Sequence, residues 1–226
     1  MVLVCAYAGE LKVAAGAGYK APMMEIIAGF EKVSSHKIYG IFGNMKQVST
    51  QASDGGIALV LGDKAYLSKK SGLSFINYTD VGVGKPVLAY PKGKPLEKLE
   101  DIATDRVKKI VMPQPKKAIY GTAAAQILEN SGLKEQVGDK IYEVATVPQS
   151  TTYVLTNEVD AGFINLTAAL AHGDKIGGYI QIEPNLYEPI IITVGKLSPC
   201  EGDVCKEFLD YLQTPAAKAV FKKYGL

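Results

Sequence analysis

Residues 114–128, QPKKAIYGTAAAQIL, combine the residue types and spacing from which anion chemistry can be built. Residues 107–112 (VKKIVM) read as a short buried strand, Pro113 and Pro115 stop it, and Gly121-Thr122 opens an Ala-rich run of strong helix formers. A strand, a tight turn and a helix start in succession leave unpaired backbone N–H groups and the positive end of the helix dipole pointing outward. An anion can sit there without help from any one side chain. Lys116 and Lys117 add positive charge beside it. The same pattern also describes an ordinary βα loop that binds nothing, so the rest of the chain has to decide.

Other chemistries find no support. The two histidines, His36 and His172, are lone and far apart, and no zinc spacing, Ser/His/Asp order or Walker loop appears. Lys plus Arg number 25 against 23 Asp plus Glu, and Arg106 is the single arginine, which argues against a phosphate-gripping surface for nucleic acid. With 226 residues, 47% of them apolar, the chain is long enough for one large domain or two small ones. No apolar run approaches the roughly 20 residues a membrane-spanning helix needs.

The elements that would position an anion site repeat one unit. Residues 11–15 (LKVAA) form a strand, the turn 16–20 (GAGYK) carries two glycines that let backbone approach a ligand, and Pro22 begins a helix with Met23, Ile26, Ile27 and Phe30 at helical spacing. A strand at 37–42 leads through Gly43-Asn44-Met45-Lys46 into a polar helix over about 47–53. A continuous apolar strand at 57–61 is followed by a helix beginning at Asp63. Three such units give a parallel α/β sheet whose turns gather at the carboxyl ends of the strands, where such sheets bind ligands.

Residues 82–90 form an extended segment flanked by Gly and Pro, which suits a crossing between two lobes. A short helix over 96–104, the strand and helix around residue 114, a strand at 141–145, a helix opening at 147–150 and a strand at 159–166 then build a second lobe. Residues 190–194 (IIITV) offer the return crossing. Two helices rich in Phe, Leu and Tyr close the chain and return to the first lobe. The expected division is 9–84 and 190–226 for the first lobe and 85–189 for the second, with the site in the cleft between them.

Residues 1–8, MVLVCAYA, end in the small-x-small form of a signal-peptidase site and read as the remnant of a signal peptide, with Gly9 as the first mature residue. Val4 stands where a lipoprotein signal would place a small residue before Cys5. In an exported protein, Cys200 and Cys205 are expected to close a local disulfide across a Gly-containing turn.

Over nearly all of 9–226 the chain resembles the periplasmic molybdate-binding proteins of ABC uptake systems. The resemblance is carried by KVAAGAG, the turn PKKAIYGTAA, the strand VDAGF and, most specifically, the ending FLDYLQTPAAKAVFKKYGL. It implies an α/β, bilobed periplasmic-binding-protein fold of type II, with two α/β lobes joined by two crossing segments. It also implies a non-enzymatic, monomeric role: a tetrahedral oxyanion, molybdate or tungstate, is held by neutral hydrogen bonds and passed to a membrane permease. No cofactor is implied, and any molybdenum or tungsten is bound only as oxyanion.

Matched position by position, the family's first serine falls on Gly18 and its second on Met45, or on Asn44 with a one-residue slip. The backbone donors fall on Ala118 and Val147, and the tyrosine that completes the family's site falls on Asn165. Three side-chain positions thus depart from the family pattern. Tyr19, Lys20, Lys46, Lys116, Lys117 and Tyr120 are the candidates to replace the lost donors, at most two of them touching a ligand. The departures also keep open a small organic anion as ligand and, less favoured, an enzyme or sensor acting on an anionic metabolite.

Overall fold

In a computed structural model of the protein, residues 8–226 are described; the signal-peptide reading and Cys5 fall outside them. Two mixed sheets of five strands each organise the chain. The first contains β1 (Glu10–Gly16), β2 (Lys37–Gly43), β3 (Leu59–Asp63), β4 (Asn77–Gly84) and the late strand β10 (Ile190–Lys196), in the order β2-β1-β3-β10-β4. The second contains β5 (Pro86–Tyr90), β6 (Ile110–Pro113), β7 (Ile141–Val144), β8 (Ala161–Asn165) and β9 (Gly178–Gln181), in the order β7-β6-β8-β5-β9.

The three strands expected to form a parallel sheet do so, but the sheet extends beyond them with antiparallel pairs. β1, β2 and β3 are parallel, but β10 runs antiparallel to both β3 and β4. In the second sheet β6 is parallel to β7 and β8, while β5 runs antiparallel to β8 and β9. β5 and β10 are the strands by which the chain enters each sheet from the other. The segment expected as one crossing strand over 82–90 divides at Lys85, β4 lying in one sheet and β5 in the other.

Local chemistry explains where helices start. Asn44 caps α2 (Met45–Ser53) in a reciprocal capping box with Gln47, Asp63 caps α3 (Lys64–Lys69), and Thr214 caps α9 (Pro215–Lys223) with Pro215 in the first turn. α1 (Lys20–Phe30) begins two residues before Pro22, directly after a 3-10 turn at Ala17–Tyr19. The second sheet is flanked by α4 (Ile119–Asn130), the single turn α5 (Lys134–Val137), α6 (Val147–Leu155) and α7 (Leu166–His172). The helix expected over 96–104 is a 3-10 turn at Leu99–Ala103.

β3 is buried along its whole length, as its apolar run requires. α8 (Gly202–Leu212) and α9 return to the first sheet, where Phe30 meets Phe208 edge-on with centroids 5.1 Å apart. Cys200 and Cys205, both buried, are joined in a disulfide with their Cα atoms 5.5 Å apart, within the usual range for such a bond. One apolar cluster runs from Val13 and Leu59 under the first sheet to Val87, Val111 and Ile164 of the second, so the two lobes pack on each other. No described helix is long and apolar enough to cross a membrane.

Candidate functional site

Five chain turns, three from the first lobe and two from the second, end at one small cavity. From the first lobe come the turn between β1 and α1, the start of α2 and the junction of β3 with α3; from the second come the starts of α4 and α6. The cavity measures about 40 Å³ open to water centres. Gly18, Tyr19, Asn44, Met45, Ala118, Tyr120 and Val147 line it, so seven of the eight residues expected to bind ligand share one wall system.

The backbone supplies most of its polarity. Among the described residues, no protein acceptor is engaged by the N–H groups of Met45 and Lys46 at the start of α2, Ile119 and Tyr120 at the start of α4, or Val147 at the start of α6. These are the orphan donors of a helix's first turn, and they favour an anion. Ala118 is placed differently from expectation: its N–H already donates to Gln114 O at 2.9 Å, which passes the donor role to the next two residues. The Oδ1 of Asn44 is likewise occupied, accepting from Gln47 N at 3.0 Å, so the side chain shapes the turn and has only its Nδ2 left to donate.

Asn165, the eighth expected residue, is fully buried and stands behind the cavity instead of on its wall. Its Oδ1 accepts from Ala168 N at 2.9 Å, capping α7, and its Nδ2 donates to Gly18 O at 3.3 Å. The second bond spans the two lobes. Beside it the hydroxyls of Tyr19 and Tyr120 share a buried hydrogen bond of 2.5 Å, also between lobes. Burial pushes both phenols well above the ordinary tyrosine range, with the Asn165 amide pulling slightly the other way. Both therefore stay neutral donors.

A Cβ on Gly18 would stand 2.9 Å from Asn165 Nδ2 and 3.4 Å from Val147 Cβ. A side chain at this glycine would press on Asn165 and Val147 of the other lobe. Of the six replacement donors, Tyr19, Lys117 and Tyr120 reach the cavity, whereas Lys20 and Lys46 do not. Lys116 opens on the outer cleft.

Sequence reasoning did not single out Asp63 or Thr146, which also line the cavity. Each follows a strand and caps a helix, Asp63 Oδ2 accepting from Tyr66 N at 2.7 Å and Thr146 Oγ1 from Gln149 N at 3.3 Å. Asp63 ends the third βα unit of the first lobe, and that repeat was the available signal. Desolvation raises its carboxyl above the usual range, against the N–H groups of Tyr66 and Ala65 that hold it down. No group of His, Cys, Asp and Glu able to hold a metal ion occurs among the described residues.

Comparison with known proteins agrees with this fold. Residues 11–226 match the family described as bacterial extracellular solute-binding protein. The chain is 32% identical to a molybdate-binding protein of Azotobacter vinelandii over 99% of this chain and 92% of that protein. Among solved structures, a periplasmic molybdate-binding protein of the same organism superposes with a TM-score of 0.86 at 24% identity, covering 95% of this chain and 97% of that one. A structure titled as the tungstate ABC transporter from Geobacter sulfurreducens superposes with a TM-score of 0.70 at 16% identity, covering 94% and 97%.

Proposed function

Since the chain belongs to the bacterial extracellular solute-binding proteins, we propose that it binds molybdate or tungstate between its lobes. It acts outside the cytoplasm, without catalysis and as a monomer, and delivers the anion to the membrane permease of an ABC uptake system. The curated relative named for molybdate binding, matched at 32% identity along nearly its whole length, supports the ligand class. The lobes divide at 84/85 and 189/190, where the chain passes between sheets.

The observation that carries the reading is the size and lining of the cavity. The cavity is small, about 40 Å³, and it is walled by turns from both lobes, which suits a small anion held on all sides. First-turn N–H groups from both lobes supply neutral donors, the arrangement that holds a dianion without burying countercharge.

Calorimetric titration of ligand-freed protein against molybdate, tungstate, sulfate, phosphate, chromate and small carboxylates tests it. Molybdate or tungstate should bind most tightly, and Gly18→Val, shown folded by circular dichroism, should lose at least tenfold in affinity. Preference for a carboxylate would replace the oxyanion reading with an organic one. Turnover of any anion would end the non-catalytic reading.

A further inference from the structure

Outside the oxyanion cavity the cleft widens into a vestibule of about 270 Å³, continuous with it through Met45, Asp63, Lys117, Ala118 and Ile119. Four lysines line this space: Lys69 and Lys70 at the end of α3 in one lobe, and Lys116 and Lys117 in the turn before α4 in the other. All four are exposed, and among the described residues none is in an ion pair. Two carboxylates, Asp63 and Glu188, share the lining, and Asp63 is turned to cap its own helix.

We propose that this vestibule is a capture site for small inorganic dianions, which the four lysines draw into the cleft mouth before the anion reaches the inner cavity. The inference rests on the oxyanion reading above and adds a kinetic role to it. Like charges gathered in a concave, low-dielectric mouth focus the field, and such focusing raises association rates by about 10- to 1,000-fold at low ionic strength. Lys69, Lys70 and Lys116 lie on the outer cleft and Lys117 at its junction with the inner cavity, which holds the backbone donors that fix the anion. Capture therefore governs the rate of arrival, and the inner cavity governs the rate of departure. Because the two pairs come from opposite lobes, the field is strongest where the lobes face each other.

The test compares the parent with the triple variant Lys69→Gln, Lys70→Gln, Lys116→Gln, which leaves Lys117 of the inner cavity in place. A control of equal net charge replaces Lys206, Lys218 and Lys222, exposed residues of α8 and α9 that line neither space. Association and dissociation of molybdate are followed by stopped-flow tyrosine fluorescence from about 10 mM to 0.5 M salt, with calorimetric affinities at the same ionic strengths and melting curves for all three proteins. The vestibule variant should associate about tenfold more slowly at low salt and dissociate within twofold of the parent. Its disadvantage should vanish at high salt, where the Debye length shrinks to a few ångströms. The control should associate like the parent.

Equal association rates for vestibule variant and parent would overturn the inference and leave the oxyanion reading standing. So would an equal loss in the control, which would assign the effect to net charge, or a change confined to dissociation. A parent that binds neither molybdate nor tungstate in calorimetry would overturn both.

Discussion

At the scale of single residues, the chemistry lies less in the side chains that face the cavity than in those that hold its walls. Tyr19 and Tyr120 are 101 positions apart, and each alone reads as a spare donor. Their mutual bond could not be read from sequence, because no local spacing encodes it. The same holds for Asn165, whose amide reaches back 147 positions to Gly18 O. Removing one phenol hydroxyl leaves the other buried without its partner, a loss of about 1–3 kcal/mol. Tyr19→Phe and Tyr120→Phe should each cost that much in urea denaturation, and the double variant should cost clearly less than their sum. Strict additivity would mean that the two hydroxyls do not stabilise each other.

Asp63 sets the pH dependence at the same scale. Desolvation raises its carboxyl, Glu188 pushes the same way, and Tyr66 N–H, Ala65 N–H and Lys70 oppose them. A raised carboxyl favours the protonated form in the fold. Its contribution to stability is thus complete below the ordinary carboxylate range and lost as pH rises through the raised value. An anion in the cavity pushes in the same direction, so binding takes up protons. Affinity for tungstate should rise as pH falls toward the raised carboxyl of Asp63, and Asp63→Asn should bind about five- to tenfold more tightly at pH 7, a charge–charge effect of ~1 kcal/mol. Calorimetry in buffers of different ionisation heat would show the proton uptake, and an Asp63→Asn protein with the parent's pH profile would remove Asp63 from this role.

At the scale of elements, the parts that announce themselves are those buried on both faces or started by a cap. β3 is an unbroken apolar run, and α2, α3, α6 and α9 each follow a capping residue. The strands that escaped notice, β9 and most of β4, each lie at one edge of a sheet, although β2 and β7 at the opposite edges were legible. An edge strand pairs on one side only, and NYTDVGVG and GYIQ remain largely half-buried, so neither needs a continuous apolar run or strict alternation. The reversed direction of β5 and β10 was also hidden, since strand direction follows from how the chain passes between lobes and leaves no local trace.

The Cys200–Cys205 disulfide belongs to this scale because it fixes the turn from β10 into α8. Both sulfurs are packed in the core that Phe208 and Leu212 share with the first sheet. Closing so short a loop removes little unfolded-state entropy, about 2 kcal/mol in the loop model. Thiol labelling of the native, unreduced protein should find neither cysteine of the pair, and Cys200→Ser with Cys205→Ser should lower stability by about 2 kcal/mol. Full labelling of both in the native protein would show that they are not bonded.

At the scale of the molecule, the site exists only when the lobes meet. Gly18 of one lobe and Asn165 of the other approach so closely that a Cβ on Gly18 would stand 2.9 Å from the Asn165 amide nitrogen. The crossing near Lys85 passes beside the same contact: a Cβ on Gly84 would collide with the Tyr120 hydroxyl. The closed arrangement therefore depends on a glycine at the crossing, on the tyrosine pair, and on the Asn165 bridge, all within the wall behind the cavity. An anion adds first-turn donors from both lobes to these links, so it binds the closed form more tightly and shifts the population toward it. Small-angle scattering should give a smaller radius of gyration at saturating molybdate than in ligand-free protein, approaching about 17 Å, the value for a compact chain of this length. Tyr120→Phe should enlarge the ligand-free radius further while the bound radius stays close to the parent's, since the anion's own contacts remain. Identical profiles with and without ligand would mean that closure is not coupled to binding, and that the tyrosine pair holds the lobes together whether or not the cavity is filled.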